Sequence, residues 1–96
     1  MKEYEVKLLE DAVRFLRKLP VKLRAKAFRA VELLEEFGPN LPMPHAKALK
    51  GTDGLSELRI KFGSDIARLF YFHDKDRIYI VTSGFIKKNK KRIPAN

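Results

Sequence analysis

The dipeptide Gly63-Ser64 is the tightest constraint in this chain. It separates two runs, residues 55–62 and 65–73, in which apolar and polar side chains largely alternate, the pattern of half-buried strands. Glycine at the first position of a two-residue loop suits a type II′ turn, whose twist matches the strands it joins. A loop of that length also fixes the register. Phe62 then faces Asp65, Ile60 faces Ala67, and Arg59 faces Arg68. Alternation sorts the side chains onto two faces. Leu58, Ile60 and Phe62 share one with Ala67, Leu69 and Tyr71. Glu57, Arg59 and Lys61 share the other with Ile66, Arg68, Phe70 and Phe72.

The first of these faces needs an apolar cover, and the N-terminal half supplies it. Ala12, Phe15, Leu16 and Leu19 recur at helical spacing, predicting a helix over residues 10–19. Pro20 interrupts it and suits the first turn of a second helix. Leu23, Ala27, Ala30, Val31, Leu34 and Phe37 carry that stripe until Gly38-Pro39 ends it. Lys22, Arg24, Lys26 and Arg29 decorate the hairpin, first as a solvated face and second as additional RNA contacts. Residues 4–8 can form an opening strand. Residues 38–54 contain three prolines and three glycines, which exclude a long regular element and leave room for one helical turn at 46–49. A third strand is expected over residues 77–85. The whole reads as one domain over residues 1–96. It is α+β, with an N-terminal helical hairpin packed on a small, mainly antiparallel twisted sheet.

The second face carries the chemistry. Two arginines directly opposite each other repel. Glu57, diagonal to Arg68, can offset part of that repulsion, and a bound phosphate would satisfy both guanidinium forks. A two- or four-residue turn at 74–76 extends this face with Tyr79, Val81, Ser83, Phe85 and then Lys87; a three-residue turn reverses it. Basic groups interleaved with aromatics suit single-stranded RNA, because cations follow phosphates and rings stack on unpaired bases.

Charge points the same way. The chain has 21 Lys and Arg against 12 Asp and Glu, a net +9, and no acidic residue follows Asp76. Lys87, Lys88, Lys90, Lys91 and Arg92 put five cations into six residues, a patch suited to a polyanion. Cysteine is absent, which excludes disulfides, thiolate metal sites and a cysteine nucleophile. The two histidines have no ligand spacing, the carboxylates are scattered, and no cofactor motif is present, so neither metal nor cofactor is expected. No apolar run approaches the ~20 residues of a membrane helix, and the N-terminus lacks a signal-peptide core. A cytoplasmic protein without membrane contact is the expectation.

The segments GLSELRIKF (54–62), ARLFYF (67–72) and TSGFIKKNKKRIP (82–94) follow one another in an order and spacing that resemble a known family. It is the HigB-like, phage Gp49-like branch of the RelE/ParE toxin superfamily, and the resemblance spans essentially the whole chain. It implies a type II toxin that cleaves mRNA in the ribosomal decoding site and is neutralised, in a hetero-oligomeric complex, by a cognate antitoxin carrying a helix-turn-helix DNA-binding domain. By position, the family's basic active-site residues fall on Arg59, Arg68 and Lys87, with Glu57, Lys50 and Lys88 as further candidates. Taken with the face and charge readings, the expected RNA contacts are Lys47, Lys50, Lys61, Tyr79, Lys88, Lys90, Lys91 and Arg92. A ParE-like inhibitor of DNA gyrase and a non-catalytic nucleic-acid-binding protein are the alternatives.

Overall fold

A computed structural model of the chain describes residues 2–41 and 45–88, with the backbone alone for Lys87 and Lys88. Strand β1 (Glu5–Leu8) leads into helices α1 (Glu10–Arg17) and α2 (Val21–Phe37). Strands β2 (Ala46–Ala48), β3 (Leu55–Phe62), β4 (Asp65–Lys75) and β5 (Ile78–Lys88) follow. The sheet order is β1-β5-β4-β3-β2, with β1 parallel to β5 and every other pair antiparallel. Both helices lie on one sheet face, α1 over β5 and α2 over β3. No helix among the described residues is long and apolar enough to cross a membrane.

The first hairpin forms as its turn dictates. Gly63 adopts φ 63° while Ser64 does not take positive φ, as a type II′ turn requires. Phe62 pairs with Asp65, Ile60 with Ala67, and Arg59 with Arg68. Leu58, Ile60, Ala67, Leu69 and Tyr71 are consequently buried under the helices. They meet Ala12 and Leu16 of α1 and Leu23, Ala27, Ala30, Val31 and Leu34 of α2 in one core. Truncating a side chain such as the fully buried Leu58 or Leu69 to alanine would cost ~2–5 kcal/mol.

The hairpin of helices is held by an arginine. Pro20 stands at the junction as expected, but as the N-cap of α2, one residue before its first turn. The Arg24 guanidinium donates from Nε to the Leu16 carbonyl (3.2 Å) and from Nη2 to those of Arg17 (3.1 Å) and Leu19 (2.9 Å). It thereby ties together carbonyls of the last turn of α1 and of the joint after it, sharing that of Leu16 with the Leu19 amide. Arg24 is therefore a joint between the helices rather than part of a solvated or RNA-facing surface.

Two expectations need correction. Residues 46–48 form a strand, not a helical turn. Ala46 pairs with Leu58 and Ala48 with Ser56, and the ladder is lengthened by Leu49 N–H to the Leu55 carbonyl and Arg59 N–H to the His45 carbonyl, both 2.9 Å. An available edge with unpaired backbone groups outweighed a weak local helical preference. The second correction is Tyr79. The β4–β5 turn does have two residues, with Lys75 opposite Ile78. The register then slips between His73 and Lys75 and slips back between Phe70 and Tyr71. Between the two irregularities every β5 side chain changes face. Tyr79 and Val81 therefore join the core instead of the arginine face. Tyr79 packs its ring 5.7 Å from those of Tyr4 and Tyr71, and burial raises the pKa of both the Tyr71 and Tyr79 phenols.

Gly38 shows how closely the N-terminus is held. It takes φ 53° and ψ −125°, and a Cβ there would lie 2.5 Å from the Tyr4 ring. The Glu3 and Tyr4 amides both donate to the Glu35 carbonyl, fixing that ring against the end of α2. Gly51 also has positive φ, 77°, but a Cβ there meets nothing within 4 Å. Gly51→Ala should cost only backbone strain, roughly 1–2 kcal/mol. Gly38→Ala adds steric overlap and should cost roughly 3 kcal/mol or more. Urea unfolding of the two variants checks the difference; equal losses would contradict the packing of Tyr4.

Candidate nucleic-acid interface

The helices cover one sheet face and leave the other open, and the pairing register sets out its side chains in rows. Lys47, Glu57, Phe70 and Ser83 form one row across β2, β3, β4 and β5. Arg59, Arg68 and Phe85 form the next. Lys61, Ile66 and the backbone position of Lys87 form the third. Ser83 and Phe85 keep their expected face because the second register slip restores the alternation that the first had reversed.

At the centre sits Glu57, whose residue surface is 2% exposed. Its carboxylate oxygens lie 3.1 and 3.2 Å from Arg68 Nη1, and Oε2 lies 3.6 Å from Arg59 Nε. One carboxylate thus serves two guanidiniums that face each other across the ladder. The trio keeps a net charge of +1 with both arginines ionised. Arg59 Nε and Arg68 Nε are buried yet make no hydrogen bond to the described residues. Buried donors of this kind are rare and call for an acceptor. The site therefore presents two planar cations, held in place by a buried carboxylate and still able to donate. An oxyanion placed against the part-exposed guanidiniums, whose side chains are 27% and 20% exposed, would relieve their repulsion and accept from their terminal N–H groups.

The remaining candidates divide by position. Lys47 and Lys61 are exposed in the rows either side of the arginines, at the β2 and β3 side of the face. Lys87 falls in the Lys61 row by register. Lys88 pairs with Asp65 and so has the opposite parity to Arg59. Lys50 is exposed in the turn between β2 and β3, beyond the Leu55–Phe72 pair, which itself lies two rows from the arginines. Lys90, Lys91 and Arg92 lie outside the described residues. Tyr79 belongs to the opposite, buried face. No three of His, Cys, Asp or Glu come together as metal ligands among the described residues.

Two features escaped the sequence reading. The Phe70 and Phe85 rings stack with centroids 5.5 Å apart and planes at 21°, and the Arg68 guanidinium carbon is 5.9 Å from the Phe85 centroid. The second feature is a cavity of about 410 Å³ between α2 and the edge of β3, floored by Ala30, Leu33 and Ile60. Lys26, Arg29, Arg59 and Lys61 also line it, so positive charge continues around the sheet edge from the arginine face.

The model of the phage-derived Gp49-like protein family matches residues 14–96. The chain belongs to that family. No curated protein matches the sequence significantly. Among solved structures, the Gp49-like chain resembles the RelE–RelB complex of Pyrococcus horikoshii at 23% identity and TM-score 0.63, covering 93% of this chain and 98% of that one. It resembles free E. coli toxin RelE, carrying two arginine-to-alanine substitutions, at 25% identity and TM-score 0.65, over 88% and 82% of the two chains. It resembles the RelBE2 toxin–antitoxin complex of Mycobacterium tuberculosis at 22% identity and TM-score 0.66, over 93% and 97%. The Gp49-like chain therefore has the RelE-like toxin fold.

Replacing Glu57 tests the electrostatics of the trio. Glu57→Gln keeps the shape but removes the counter-charge from both arginines. Because the arginine side chains are 20–27% exposed, part of the loss is screened. The variant should lose roughly 1–3 kcal/mol in urea unfolding. Unchanged stability would mean that the carboxylate does not hold the pair.

Proposed function

We propose that this Gp49-like protein is the toxin of a type II toxin–antitoxin system and cleaves mRNA in the decoding site of the ribosome. The observation that carries the reading is the Arg59–Arg68 pair, fixed by Glu57 and part-exposed on an open sheet face. The RelE-like fold supports the toxin class, and the neighbouring RelE–RelB structures support an antitoxin as partner. The cationic cavity at the edge of β3 is a second surface on which an acidic antitoxin segment could be held. The setting is the cytoplasm, where ribosomes and mRNA are available.

RNA brings its own nucleophile. The 2′-hydroxyl attacks the adjacent phosphorus, the bond to the 5′-oxygen breaks, and a 2′,3′-cyclic phosphate and a 5′-hydroxyl result. The reaction needs in-line alignment, neutralisation of the more negative phosphorane, and a proton for the departing oxygen. Arg59 and Arg68 would hold the non-bridging oxygens bidentately. Lys87, one row away by register, would give the proton to the 5′-oxygen. Glu57 is committed to two guanidiniums, so its role is to position them rather than to act as base. The 2′ proton would pass to a base outside this trio. Lys47 and Lys61 would bind flanking phosphates, and the ribosome would supply alignment.

Toxicity and mRNA 5′ ends, mapped in cells producing the wild type and variants, test this directly. Arg59→Ala and Arg68→Ala should each lower cleavage by ~10²-fold or more, as loss of a transition-state donor does. Arg59→Lys, which keeps charge but loses the fork, should remain well below wild type. Full toxicity with undiminished cleavage in the double alanine variant would overturn the proposal, as would DNA breaks and gyrase capture in place of mRNA cuts.

A further inference from the structure

We infer that Phe85 is a stacking platform for an unpaired nucleobase next to the phosphate held by Arg59 and Arg68, an inference that rests on the RNA-binding reading above. The chain has two aromatic clusters with different surroundings. Tyr4, Tyr71 and Tyr79 gather on the helix side, and the last two are core residues. Phe70 and Phe85 stack on the open face, away from both helices. Phe85 remains 43% exposed, although Phe70 lies against it. A ring packed for stability alone would be expected in the first cluster. Phe85 has a backed ring and a surface still open to a ligand.

Its place in the sheet gives the ligand. Arg59, Arg68 and Phe85 occupy one row on three adjacent strands. Neighbouring strands lie about 4.8 Å apart, so a phosphate seated between the two arginines stands one to two strand spacings from the ring. A single ribose joins a phosphate to its base over a distance of this order. Phe62 is also exposed, but its ring lies at the sheet edge near Lys26, outside the arginine row. Phenylalanine offers no hydrogen bond to base edges, so recognition here would rank bases by stacking area, purine above pyrimidine, without reading a codon. The nearby Arg68 guanidinium would tie base stacking to phosphate binding.

The chain contains no tryptophan, so Phe85→Trp introduces a single fluorescent reporter. A short single-stranded RNA and an abasic chain of equal length and charge serve as probes, titrated at low salt. RNA should quench the Phe85→Trp emission, and the abasic chain should not. By anisotropy, Phe85→Ala should weaken RNA binding roughly five- to hundredfold and leave the abasic affinity unchanged. Phe85→Leu, which keeps apolar bulk without a π face, should resemble the alanine variant. If RNA binds with salt sensitivity but causes no quenching, and Phe85→Ala or Phe85→Leu binds it as tightly as wild type, the platform is overturned while the RNA reading stands. If neither probe binds wild type, both fail.

Discussion

Everything distinctive about the open face depends on one carboxylate placed between two guanidiniums. Arg59 and Arg68 are brought opposite each other by the β3–β4 register and would repel if left alone. Glu57 lies one row away and reaches both. Because it is buried, its attraction to them is less screened than at a surface, and its own desolvation is offset by the paired charges. The arrangement leaves the arginines ordered but incompletely satisfied. A binding site for a phosphate needs both properties: order lowers the entropy lost on binding, and the residual donors and net positive charge give the anion somewhere to go.

The remainder of the fold keeps that face open and rigid. All the helical cover is on the other side, where Leu58 and Leu69, next to the arginines in sequence, anchor β3 and β4 in the core. Gly84 lets α1 approach β5 directly, since a Cβ there would lie 2.6 Å from the Phe15 ring and 2.7 Å from the Arg68 carbonyl. The backbone that carries Arg68 and Phe85 is thus supported from behind. Paired register slips in β4 and β5 let the tyrosine end of the sheet face the core and return Ser83 and Phe85 to the site. The same strand therefore contributes Val81 to stability and Phe85 to the candidate interface.

What could be read from the sequence follows the strength of the local signals. Gly63-Ser64 between two alternating runs specifies turn length, hence register, hence the facing arginines. Pro20 and Gly38 bound the helices because their backbone restrictions act locally. Alternation from the turn puts Tyr79 on the wrong face, because two slips that cancel leave no mark in turn length, and a β4–β5 turn read correctly still misplaces the residues between them. Residues 46–48 give no strand signal, because their partner, β3, lies several residues further on and three residues carry little intrinsic preference. Arg24 looked like any helix-surface cation; its carbonyl partners are defined only once α1 and α2 meet. Glu57 was visible as a neighbour of Arg68, but its grip on both arginines depends on rotamers that spacing does not determine.

In the proposed reaction the arginine pair binds and stabilises an RNA phosphate attacked by its own 2′-hydroxyl. It is tested most directly on purified ribosomes programmed with two mRNAs that differ only in a 2′-deoxy sugar at the decoding-site phosphate. The all-ribose message should be cleaved, leaving a 5′-hydroxyl on the downstream fragment and a cyclic or 3′-terminal phosphate on the upstream one. The deoxy-substituted message should stay intact at that position. Equal cleavage of both messages, or a downstream fragment carrying a 5′-phosphate, would contradict it.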